Sequence, residues 1–204
     1  MKDVRAAAEH GDVESQKYLG DCYRNGTNVE KDEAEAFKWY KKAAEQGDAV
    51  GQNALGVCYA NGIGVSKDVR EAAKWYLKSA QQGRASGQNN IGFCCLIGRG
   101  VDKDEREAVT WFRKSAAQGF AEAQCNLGFC YFQGMGVTAD PHEACKWFRL
   151  AADQGFAKGQ FGLGLCYETG KGVDQDLREA AKWYRQSAAG GYGEATAALK
   201  RLQP

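Results

Sequence analysis

Four scarcities bound what this chain can be. No apolar run approaches the roughly 20 residues that cross a bilayer, and the opening MKDVRAAAEHG lacks the apolar core of a secretory signal. No membrane insertion is expected. Neither charge is in excess: 27 Lys and Arg against 26 Asp and Glu leave +1, so no global field favours nucleic acid, an anionic membrane or an acidic partner. Histidine occurs twice, at His10 and His142, far apart in sequence and in no nucleophile context. Proline also occurs twice, against 26 glycines in 204 residues. Collagen is excluded because glycine does not fall at every third position, and 44% hydrophobic with 11% aromatic residues is too apolar for a disordered linker.

The glycines have addresses. All five tryptophans, Trp39, Trp75, Trp111, Trp147 and Trp183, are spaced by 36 residues, and the same step joins Cys22, Cys58, Cys94, Cys130 and Cys166. Four glycine columns follow it, headed by Gly11, Gly20, Gly26 and Gly64, and together they hold 20 of the 26 glycines.

Residues 48–83 serve as the type unit, read as two helices. The first, from about Ala49 to Asn61, ends at a Gly-x-Gly turn, and Asn28 standing where later units have Gly64 points to positive φ there. The second starts at Asp68, a cap for the free amides, with Glu71 three residues on to return the bond as in a capping box. Gly83 stops it. Gly56 is expected to admit another backbone closely, and Ala72, Ser79 and Ala80 to thin the second helix opposite Trp75 and Tyr76. One such pair cannot bury its aromatic face, so pairs must stack. The expected fold is all-α, a right-handed α/α solenoid of helix-turn-helix repeats, a single stacked core over residues 1–204. It has a partial N-terminal helix at 1–11, repeats at 12–47, 48–83, 84–119, 120–155 and 156–191, and a capping helix at 192–204 in which Lys200 replaces Gly56. The start inside a unit is read as truncation from a longer array or as a minimal cap.

Leu55, Gly56, Tyr59, Gly62, Gly64, Val65, Asp68, Ala72, Trp75, Tyr76, Ala80 and Gly83 match the pattern of the Sel-1-like repeat, a relative of the tetratricopeptide repeat, and the chain resembles that family through five consecutive units. Departures are local, such as Cys95 for the tyrosine in unit three. The resemblance implies scaffolds and adaptors: subunits of membrane-associated ubiquitin ligases, regulators of cell-wall synthesis, and bacterial factors that engage host proteins. Fold alone does not choose among them.

A secreted, cysteine-rich subgroup of that family, reported as penicillin-binding or β-lactamase-like, closes each unit with a disulfide at the sites that are Ala44 and Gln52 here, and neither is cysteine. The Cys22 ladder instead sits beside the core tyrosine, where a small apolar group is wanted, and its members lie a whole repeat apart. No disulfide is expected, and reduced thiols favour a cytoplasmic, reducing compartment. Cys94, Cys95, Cys125 and Cys130 form no ligand knuckle, so no metal is expected. The Gly-x-Gly turns follow helices and lack a Walker lysine-serine pair. No cofactor and no catalytic constellation is expected.

The five units also separate positions fixed by packing from positions that vary. On the first helix the varying sector, which lines the concave groove in tetratricopeptide-like solenoids, is polar at the start with Lys17 and Asp21 and turns apolar in the middle. Its candidate partner-binding residues are Lys17, Asp21, Asn53, Val57, Asn89, Phe93, Leu96, Ile97, Phe129, Phe132, Phe161 and Leu165. The expected ligand is a protein or peptide taken as an amphipathic helix or extended segment, and a monomer is favoured. Two other readings stay open: the phenylalanines only fill an inner wall, or the chain is a spacer or oligomerising module of a larger protein. The penicillin-binding reading rests on family membership alone.

Overall fold

Regular spacing in sequence becomes regular spacing of helices. The computed structural model describes residues 1–202, and among them runs twelve α-helices and no strand. They are α1 (Lys2–Glu9), α2 (Val13–Asn25), α3 (Glu33–Glu45), α4 (Ala49–Asn61), α5 (Val69–Gln81), α6 (Ala85–Ile97), α7 (Glu105–Ala117), α8 (Ala121–Gln133), α9 (Pro141–Asp153), α10 (Ala157–Thr169), α11 (Leu177–Ala189) and α12 (Gly193–Leu202). Packing divides the chain into two compact units, α1–α6 up to Lys103 and α7–α12 from Asp104. The division falls inside the third repeat, where the 36-residue pattern carries no mark.

Local chemistry sets the helix ends. The second helices begin at Asp32, Asp68, Asp104, Asp140 and Asp176, whose side chains accept backbone amides of the first turn at 2.8–3.1 Å. The reciprocal half of the expected capping box is not formed. The Asp68 N–H donates to the Tyr59 carbonyl at 2.9 Å, and Glu71 accepts Lys74 Nζ instead. The loop folds back onto the end of the first helix, so a backbone acceptor reaches the cap amide first.

Gly64 has the positive φ that Asn28 foretold, 67° against 62°. It is also a joint. A Cβ on Gly64 would run into the carbonyl oxygen of Glu33 at the start of α3, in the preceding repeat. Asn28 is exposed, and its Nδ2 donates to Tyr18 Oη at 3.3 Å.

One packing expectation needs extending and one needs correction. Gly56 admits a ring as well as a backbone: a Cβ there would lie 2.6 Å from the Tyr76 ring and 3.2 Å from the Ala72 carbonyl oxygen. A closer backbone approach occurs at Gly51, where a Cβ would come 2.9 Å from Ala44 N. Secondly, Ala72, Ser79 and Ala80 share the buried stripe with Tyr76 and do not lie opposite it, since steps of four and seven residues return to one helix face. The core column is therefore Tyr40, Tyr76, Phe112, Phe148 and Tyr184. Of the tryptophans only Trp39 is fully buried. Trp75 and Trp111 are half-buried under Lys78 and Lys114, whose Nζ atoms stand 3.9 and 4.4 Å from the ring centres.

Each unit has its own core. In the first, Trp39 packs with Ala8 and Leu19, and Tyr40 with Ala36 and Cys58. In the second, Phe148 packs with Leu163 and Cys125, and Tyr184 with Phe161, Ala195 and Ala198.

The cysteines bring a further correction, because Cys145 and Cys166 are joined as a disulfide with Cα atoms 6.2 Å apart. Cys145 lies outside the ladder, at the site of Phe37, Ala73, Val109 and Ala181. It reaches Cys166 from the adjacent helix, α9 against α10, a pairing that comparison within the ladder cannot reveal. Cys22, Cys58, Cys94, Cys95, Cys125 and Cys130 are buried and take no part in it.

Candidate functional site

The varying sector of the first helices divides into columns with different fates. The column of Lys17, Asn53, Asn89 and Phe161 is a packing column. Lys17 Nζ pairs with Glu14 at 2.6 Å and with Asp48 at 3.2 Å. Half-buried Asn53 accepts Asn90 Nδ2 at 2.9 Å. Asn89 is buried, and Phe161 is buried between Tyr184 and Tyr192 at centroid distances of 5.4 and 5.1 Å. Neither presents a surface to a partner, contrary to the sequence reading. Helix packing claims this column because it lies closer to the neighbouring helices than an even 100° sector implies.

The next column begins with Asp21 and Val57. Asp21 is exposed but already engaged, accepting the Tyr40 hydroxyl at 2.6 Å, while Val57 is half-buried. In the second unit, Phe129 lies edge-on against Phe148 at 4.8 Å with Lys158 Nζ 5.2 Å from its centre. Phe132 meets Phe148 at 6.3 Å, and Lys171 Nζ stands 5.3 Å away. Leu165 packs on the Phe161 and Tyr184 cluster. These three are half-buried and mainly fill their own unit.

Helix α6 in the first unit differs. Phe93 is 40% and Ile97 49% exposed, with Leu96 half-buried beside them. Phe93 also borders a pocket of about 110 Å³, whose walls include Ala60, Asn61, Tyr76, Asn90 and Arg99. Arg99 Nη2 donates to the Ala60 carbonyl at 3.2 Å, Asn61 Nδ2 to the Val57 carbonyl at 3.1 Å, and Asn90 Nδ2 to Asn53. Burial holds the Tyr76 phenol above its ordinary value, so it remains a donor throughout the neutral range. Sequence reading marked Phe93 and Ile97 but missed Tyr76, assigned to the core, and Arg99, which sits in the turn.

A second missed feature is a column of buried glutamines, Gln16, Gln52, Gln88, Gln124 and Gln160. Gln52 Nε2 donates to the Ala44 carbonyl, and Gln52 Oε1 accepts Gln82 Nε2 at 2.8 Å. Where the resemblance to a cysteine-rich subgroup would place a disulfide, Gln52 and Ala44 are joined by this amide hydrogen bond instead.

Helix pairs of constant length, with an aspartate capping every second helix and the same glycine joint between repeats, define a helical-repeat protein of the all-α class. The particular repeat follows from comparison: the Sel1 repeat model matches residues 13–48, 49–83, 85–120, 121–156 and 157–192, and the chain belongs to that family. Among solved structures it is similar to a Sel1 repeat protein from Oxalobacter formigenes, at 36% identity and a TM-score of 0.88 over 95% of this chain and 80% of that one. It is also similar to c5321, a protective antigen of uropathogenic Escherichia coli, at 36% identity and a TM-score of 0.82 over 98% of this chain. The chain spans only 43% of that protein's length. No curated protein matches. Sel1 repeat proteins generally mediate protein–protein interaction, and the family is generally a non-catalytic scaffold. No helix among the described residues is long and apolar enough to cross a membrane.

Proposed function

We propose that this chain is a non-catalytic interaction scaffold that takes a peptide or helix of a partner protein on the exposed face of α6. One observation carries the reading: Phe93 and Ile97 are 40% and 49% exposed on a helix whose buried face is already filled by Ile91, Cys94 and Cys95. A solvated face has no packing use for two large apolar side chains four residues apart, whereas a partner anchored at i and i+4 spacing does. The polar rim of Asn61, Asn90 and Arg99 supplies direction.

Panning a displayed random peptide library on the full chain tests this. The reading expects enriched peptides whose binding is lost in Phe93→Ser with Ile97→Ser. No enrichment, or binding unchanged in that double variant, contradicts it.

A further inference from the structure

Comparison of the repeats with one another gives the α6 pocket a ligand chemistry. In the first repeat the Tyr40 hydroxyl donates to the Asp21 carboxylate at 2.6 Å, with Arg24 close enough to act on the same phenol. In the fifth, Tyr184 donates to Glu168 at 2.6 Å, and Arg201 holds that carboxylate from Nη2 at 2.7 and 2.8 Å and from Nε at 3.0 Å. Each time a buried tyrosine donates to a carboxylate, and an arginine stands near the tyrosine or on the carboxylate.

The second repeat keeps the tyrosine, and the arginine beside it comes from the turn of the third repeat, at a position in the unit different from those of Arg24 and Arg201. Tyr76 and Arg99 both line the pocket, but the sites of Asp21 and Glu168 are filled by Val57 and Ala60. No Asp or Glu lines it. The Tyr76 hydroxyl has no hydrogen-bond partner among the described residues, and the bond to Ala60 leaves the other guanidinium donors of Arg99 unused. Asn61 and Asn90 each spend one amide hydrogen on the chain and keep the other. The pocket therefore presents donors and a positive charge, with an acceptor missing.

We propose that this pocket binds a carboxylate of the partner, an acidic side chain or a chain terminus, placed where Asp21 and Glu168 sit in the other repeats, with an adjacent apolar residue on Phe93. A volume of about 110 Å³ is well below the roughly 300–1,000 Å³ of sites for whole small ligands, and it suits a single side chain. The inference rests on the scaffold reading and adds the partner's chemistry to it.

Three N-acetylated peptides test it on the full chain by NMR titration: phenylalanine-glutamate-phenylalanine amide, the same with glutamine, and the glutamine peptide with a free C-terminal carboxylate. At least one carboxylate peptide is expected to bind about tenfold more tightly than the glutamine amide, through charge-assisted bonds, and to shift the Asn61, Asn90 and Arg99 side-chain resonances. Which one does identifies the source. Tyr76→Phe is expected to remove that preference without changing the melting temperature. Val57→Asp, which returns a carboxylate to the site, is expected to do the same by occupying the donors. Equal affinity for all three peptides, no binding by any, or a preference that survives both variants overturns the inference. Library peptides that need Phe93 yet carry no carboxylate would overturn it while leaving the scaffold reading intact.

Discussion

Gln82 Nε2 donates to Gln52 Oε1 across 2.8 Å. Because Gln52 also donates to the Ala44 carbonyl of the preceding repeat, one buried amide ties together both helices of its own repeat and the helix before them. The same arrangement recurs at Gln46 with Gln16 and at Gln154 with Gln124. Gln52→Ala should cost about 2–3 kcal/mol, since it removes two buried hydrogen bonds and leaves a void, although the Ala44 carbonyl keeps the Gly47 amide and Gln82 keeps the Gly47 carbonyl. Gln82→Ala, nearer the surface, should cost about 1 kcal/mol. Urea denaturation of the two variants measures the difference.

Gly62 and Gly64 separate conformational strain from collision. Both have positive φ, 77° and 67°, but a Cβ on Gly62 meets nothing closer than 3.5 Å, whereas one on Gly64 strikes the Glu33 carbonyl. Gly62→Ala should cost about 1–2 kcal/mol, the usual penalty of left-handed backbone. Gly64→Ala should cost about 2 kcal/mol more, because the repeat joint must open. Thermal melting of both variants checks the order.

Alkaline pH should weaken the fold. Burial pushes the thiols of Cys58 and Cys130 up to about 11 and that of Cys125 to about 12, against an ordinary value of 9.0. A group with a raised folded pKa contributes its stability fully below the unfolded value and loses it as pH climbs through the folded one. The melting temperature should hold up to about pH 9 and decline between pH 9 and 11, and Cys58→Ala should blunt the decline. Alkylation of the unfolded, unreduced chain should label six cysteines, leaving Cys145 and Cys166 paired.

Much of this architecture was legible in the sequence. Tryptophan and glycine columns gave the repeat and its helix limits, and Asn28 gave the sign of φ at Gly64. What stayed hidden depends on where a side chain points within the stack. Asn89 and Phe161 share the helical sector of Phe93, and a difference of one column decides between a buried amide and an exposed ring. Tyr76 reads as one more core aromatic. Its unused hydroxyl emerges only when Val57 and Ala60 are seen to occupy the places of Asp21 and Glu168. Cys145 breaks the ladder rather than following it, so a periodic reading passes over its contact with Cys166.

The claim that α6 carries a free binding face is tested most directly by comparing Phe93→Ser with Phe129→Ser, which are equivalent positions in successive repeats. Phe129 packs on Phe148 at 4.8 Å, and its loss should cost about 2 kcal/mol, or roughly 4–8 °C. Phe93→Ser should move the melting temperature by no more than about 2 °C while abolishing capture of the peptides selected on the native chain. A collapse of the Phe93→Ser transition to or below that of Phe129→Ser, or peptide capture undiminished by it, would contradict the account.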